Sequence, residues 1–85
     1  MAKVLRVGSQ GDEVMDLQSG LAAMSIECDI DGIFGPNTER AVKHFQAAFG
    51  LDADGIAGPK TIALLEEEVA KVEANSAGGS GDANA

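Results

Sequence analysis

The sequence predicts an all-α fold, a compact three-helix bundle with two DGxxGPxT loop–helix repeats. Three observations predict it. Apolar residues recur at helical spacing in three stretches. Gly-Pro pairs stand at the head of the second and third stretches, where a helix start favours them. The octets "DGIFGPNT" (31–38) and "DGIAGPKT" (54–61) differ only at Phe34/Ala57 and Asn37/Lys60, so one backbone turn is built twice.

The first helix is predicted over residues 9–24, "SQGDEVMDLQSGLAAM". Ser9 and Asp12 have the spacing of a capping box. Val14, Leu17, Leu21 and Met24 form its apolar stripe, and Asp12 and Glu13 sit near its positive end. Gly20 inside the helix lowers its propensity and suits close approach of a second helix. The second helix starts at Gly35-Pro36, with Thr38, Ala41, Val42, Phe45 and Phe49 on one face and Glu39 paired to Lys43 outside. Gly50 reads as a left-handed cap, with Leu51 folding back onto the last turn. The third helix starts at Gly58-Pro59. Ile62, Leu65 and Val69 form its inward stripe, Glu67 pairs with Lys71, and the helix frays near Asn75. Residues 3–7, "KVLRV", read as an extended arm whose Val4, Leu5 and Val7 cover the bundle.

In each repeat Gly32 and Gly55 supply positive φ. Ile33 and Ile56 are expected to plug the core. Gly35 and Gly58 are expected at the helix N-caps. Asp31 and Asp54 are expected to fold back onto loop or helix N–H groups, joined by Thr38 and Thr61. Gln18 and Gln46 lie near the inward stripes, where a buried amide bonds loop backbone.

Composition bounds the rest. The chain has 85 residues, 45% of them hydrophobic, which permits one modest core. Residues 1–74 read as the domain. Residues 75–85, "NSAGGSGDANA", read as a flexible Gly/Ser/Ala-rich tail with too little apolar surface to order itself. One cysteine, Cys28, excludes an internal disulfide and a cysteine-rich zinc site. The net charge of −8, with six scattered basic residues, argues against nucleic acid and against anionic membranes. No stretch approaches a membrane span. The opening "MAKVLRVGSQG" lacks the apolar run of a secretory signal. No catalytic triad, zinc-protease motif or phosphate loop is present, so the chain reads as no enzyme. No cofactor or metal is expected. A calcium loop needs a bidentate Glu where Thr38 and Thr61 stand.

"LRVGSQGDEVMDLQSGL", "DGIFGPNTERAVKHFQAAFGL" and "DGIAGPKTIALL" together resemble the peptidoglycan-binding-like domain, type 1. The matching positions include Gly8, Ser9, Gly11, Val14, Leu17 and Gln18. Asp31, Gly32, Phe34, Gly35 and Thr38 continue the match, and Asp54, Gly55, Gly58 and Thr61 close it. The resemblance covers residues 5–65. It implies a non-catalytic three-helix module that holds a cell-wall hydrolase on peptidoglycan. Family members often carry a Trp where Ile62 stands and an aromatic where Ser25-Ile26 stands. Phe34 is then the only loop aromatic, and it reads either as a loop plug or as the floor of a ligand groove. Under the resemblance the ligand-binding candidates are Asp31, Phe34, Asn37, Arg40 and His44, with Arg40 suited to a stem-peptide carboxylate. The expected partner is peptidoglycan, with a protein partner or larger assembly supplying catalysis. The implied setting is the cell envelope or outside the cell, a phage particle, lysis system or injection apparatus among the homes. A second class stays open: a protein-interaction or structural subunit that keeps the fold without glycan binding.

Overall fold

The computed structural model describes residues 4–81, with side chains through Val72. Lys3 of the arm and the end of the tail beyond Gly81 lie outside the described residues. The elements are α1 (Asp12–Ala23), α2 (Pro36–Ala48) and α3 (Pro59–Gly81). Among the described residues there is no strand, only isolated antiparallel bridges at Leu5–Ala57 and Gln10–Ile33.

Both Gly-Pro pairs start helices as predicted. Pro36 and Pro59 open α2 and α3. The carbonyls of Gly35 and Gly58 accept the N–H groups of Glu39 and Ile62, each at 2.9 Å. The predicted cap of α1 is different. Its N-cap is Gly11, with φ 122° and no side-chain cap. The Ser9 hydroxyl accepts the Arg6 N–H at 3.1 Å, and the Ser9 N–H donates to the Arg6 carbonyl at 2.8 Å. A tight turn in the arm has taken the side chain that the capping box needed.

The first two helices end in the same motif. At α2, Gly50 (φ 76°) donates to the Ala47 carbonyl at 3.3 Å and Leu51 to that of Gln46 at 2.7 Å. This is the Schellman pattern. At α1, Ser25 donates to Ala22 and Ile26 to Leu21, each at 2.9 Å. Ser25 therefore holds φ 66°, the one positive value among the described non-glycine residues. α3 continues to Gly81, past Asn75 where the sequence predicts fraying.

The core gathers Leu5, Val14, Leu17 and Leu21 with Phe34, Val42, Phe45 and Leu65. Gly20 lets α3 come close. A Cβ there would lie 3.0 Å from Leu65 Cδ2 and 3.4 Å from Val69 Cγ2. Phe49, expected on the inward face, is exposed, its ring tilted against Phe45 at 4.6 Å between centroids. Two predicted helix-surface pairs do not form. Lys71 bonds Glu68 at 3.2 Å rather than Glu67. Glu39 and Lys43 instead lie over Gly55, where a Cβ would meet Glu39 Cγ at 2.7 Å and Lys43 Cε at 3.0 Å.

The arm ties both repeat loops to the bundle. Leu5 exchanges two backbone bonds with Ala57, at 2.9 and 2.8 Å. Gly8 donates to the Phe34 carbonyl at 3.0 Å, Phe34 to that of Ser9 at 2.9 Å, and Gly11 to that of Gly32 at 2.9 Å. This pairing decides which loop residue turns inward. Ile33 and Ile56 are 52% and 37% exposed, while Phe34 and Ala57 are buried at 1% and 0%. Ile33 and Ile56 are therefore not the plugs expected of them; Phe34 is a loop plug, one of its two sequence readings, and Ala57 takes the matching place. Successive side chains on paired, extended backbone face opposite ways. The arm alternates only at its start, with Val4 exposed and Leu5 buried; Val7 lies in the turn closed by the Ser9–Arg6 bond and is exposed as well.

Candidate functional site

The repeats build two polar frames, each centred on a buried glutamine. Gln18 is fully buried on α1. Its Nε2 donates to Asp31 Oδ1 at 3.0 Å, the Ile33 carbonyl at 2.9 Å and Thr38 Oγ1 at 3.0 Å. Its Oε1 accepts the N–H groups of Asp31 at 3.0 Å and Gly32 at 2.8 Å. Gln46 on α2 repeats the arrangement. It donates to Asp54 Oδ1 at 3.0 Å, the Ile56 carbonyl at 2.9 Å and Thr61 Oγ1 at 3.2 Å, and accepts from Gly55 at 3.0 Å. An amide with donors and acceptors on one rigid plane satisfies a tight loop that no helix or sheet could pair.

Asp31 and Asp54 lie at the exposed edge of these frames. Each carboxylate accepts the backbone N–H two residues on, Ile33 at 3.0 Å and Ile56 at 2.9 Å. That backbone bond first, and the glutamine bond second, hold both carboxyls below the usual range. Gly32 and Gly55 complete the turns at φ 77° and 76°. Asp31, Gly32, Asp54 and Gly55 thus shape the loops, and Gly35 and Gly58 pass the chain into the helices.

Asn37, Arg40 and His44 come together on the outer face of α2. They form one wall of a groove of about 440 Å³. The other wall is the loop after α1, with Glu27, Cys28 and Asp29. Asp31 and Phe34 do not line it. Phe34 is interior, so its ring offers no face to a ligand; the pull of the core on a large apolar side chain took it inward. Cys28 is half-buried and its thiol donates to the Gln18 carbonyl at 3.4 Å. Burial, then the charges of Asp29 and Asp31, push this thiol above its ordinary pKa, which makes it a poor nucleophile at neutral pH. Among the described residues no three His, Cys, Asp or Glu side chains gather as a metal site.

A family profile described as "Putative peptidoglycan binding domain" matches residues 10–65. The chain belongs to the peptidoglycan-binding domain family. It is 50% identical over 60 residues to a zinc D-Ala-D-Ala carboxypeptidase of Streptomyces albus G, covering 67% of this chain and 24% of that enzyme. The crystal structure of the SleB N-terminal domain matches with TM-score 0.76 and 38% identity, covering 79% of this chain and 93% of that one. A Burkholderia AP3 phage endolysin matches with TM-score 0.73 and 52% identity, over 75% of this chain and 25% of that one. The chain therefore spans about a quarter of the length of the carboxypeptidase and of the endolysin.

In this member of the peptidoglycan-binding family, sequence reasoning found one wall of the groove and missed the other. Glu27 and Asp29 sit in "SIECDID", which reads only as a polar loop. The signal that places them is the left-handed turn at Ser25, and nothing in the residue type announces it.

Proposed function

We propose that this chain is a non-catalytic module that holds bacterial peptidoglycan in the groove between α2 and the loop after α1. The observation that carries the reading is the convergence of Asn37, Arg40 and His44 on one concave surface in a member of this family. Arg40 offers a planar fork of donors to a carboxylate. Asn37 and His44 add hydrogen-bonding groups beside it. Phe34 and Phe45 are buried and the exposed Phe49 does not line the groove, so recognition there rests on polar contacts. Hydrolysis of the wall belongs to a catalytic domain or partner, and the setting is the cell envelope or outside the cell. Among the described residues no helix is long and apolar enough to cross a membrane.

Co-sedimentation with purified insoluble peptidoglycan tests this. The protein is expected in the pellet, and Arg40→Ala is expected to release most of it at unchanged melting temperature. Full recovery of the unmodified protein in the supernatant sinks the reading and favours a protein-interaction subunit.

A further inference from the structure

The groove has opposite charges on its two walls. Arg40 lies on α2, and Glu27 and Asp29 lie on the facing loop. All three are exposed, and among the described residues none is in an ion pair. Had Arg40 bridged to either carboxylate, the groove would offer neither charge to a ligand. Left apart on facing walls, the charges match a ligand that carries both an anion and a cation.

We infer that the groove selects peptide stems whose side-chain ammonium is still free, over cross-linked stems and over the glycan chain. This rests on the peptidoglycan-binding reading above. An uncross-linked stem bearing a diamino acid presents a carboxylate and an ammonium together. The carboxylate pairs with Arg40 and the ammonium with Glu27 and Asp29. Cross-linking converts that ammonium to an amide. The amide is neutral and leaves both carboxylates of the loop without a counter-charge. N-acetyl sugars are neutral as well, and no Phe lines the groove to stack on them. The module would therefore direct whatever it is attached to toward newly made or newly cut wall.

Competition against binding to insoluble peptidoglycan decides it. Three soluble competitors are compared: an uncross-linked stem peptide with a free diamino-acid side chain, the same peptide acetylated on that ammonium, and glycan strands stripped of peptide. The free peptide is expected to displace the protein at a concentration at least about tenfold lower than the acetylated one, the effect of one lost charge pair. In the double variant Glu27→Gln/Asp29→Asn, which changes only exposed side chains, the two peptides are expected to compete equally. Equal competition by both peptides against the unmodified protein, or displacement by bare glycan strands, overturns the inference and leaves peptidoglycan binding standing. Failure to bind insoluble peptidoglycan at all removes both.

Discussion

The two repeat loops have almost the same polar frame and different interiors. Gln18, Asp31 and Thr38 match Gln46, Asp54 and Thr61, with the corresponding donor–acceptor distances agreeing closely. Both glycine turns have nearly the same φ. The differences fall at the two letters that differ. The first loop drives Phe34 into the core, whereas the second has Ala57 there and receives Leu5 of the arm by a backbone bridge. At the other position, Asn37 lines the groove, while Lys60 is exposed away from it. The shared letters define how the chain turns. The unshared ones define what each turn is for: one anchors the core and borders the groove, and the other closes the bundle against the arm.

The sharpest way to break this comparison is to exchange the plugs. Phe34→Ala is expected to cost about 3–5 kcal/mol, the range for an aromatic removed from a packed core. Total stability for a domain of this size is of the same order, so the variant should be largely unfolded at room temperature. Ala57→Phe is expected to cost about 1–3 kcal/mol by overpacking. The double exchange should not restore stability, because the second site already holds Leu5. Chemical denaturation of the three variants checks this, and an exchange that melts like the parent protein would show the loops to be interchangeable.

Next in size is the pair of glutamines. Gln18→Leu keeps volume but strands the buried N–H of Gly32, at about 1–3 kcal/mol for a buried group left unpaired, and the part-buried N–H of Asp31. Gln46→Leu strands only that of Gly55. We expect Gln18→Leu to cost about 1 kcal/mol more than Gln46→Leu, the worth of one hydrogen bond. Equal loss in denaturant titrations would mean that the extra bond to Asp31 contributes nothing.

The carboxylates of the two frames should behave alike. Both have folded-state pKa values lowered by loop N–H and glutamine bonds. Their stabilisation is fully present above the unfolded value of about 3.9. It is lost as pH falls through the depressed folded value. Melting temperatures from pH 7 downward should hold until about pH 4 and then drop. Asp31→Asn/Asp54→Asn should melt lower at neutral pH and lose part of the drop. An unchanged acid transition in that variant would put the sensitivity elsewhere.

The fold was legible where one residue type has one physical reason to be present. Pro36 and Pro59 have φ values suited to a helix start, Gly50 suits a left-handed cap, and Gln18 and Gln46 fall on inward stripes beside loops that need partners. Reading failed where a distant segment decides. Ile33 and Phe34 are both apolar, so the pull of the core does not choose between them, and pairing with residues 8–11 turns Phe34 inward. Ser9 is a sound cap by its spacing, yet the arm turns on it first. On the site, the α2 wall was visible because Asn37, Arg40 and His44 share a helical face. The loop wall was not, because Glu27 and Asp29 reach the groove through the backbone turn at Ser25.

That turn gives the smallest effect. Ser25 and Gly50 hold the same capping position, at φ 66° and 76°, after α1 and α2. A non-glycine residue in the left-handed region bears a steric cost of roughly 1–2 kcal/mol. Glycine relieves it and gives back about 0.5–1 kcal/mol through its freer unfolded chain. Ser25→Gly should therefore stabilise by about 0.5–1 kcal/mol, raising the melting temperature by roughly 2–8 °C for a domain of this size. Gly50→Ser should lower it by a similar amount. Together the two substitutions should nearly cancel, because the caps share no partner. If Ser25→Gly melts no higher than the parent protein, the serine at that turn is making a compensating bond in solution, and the two caps are not equivalent after all.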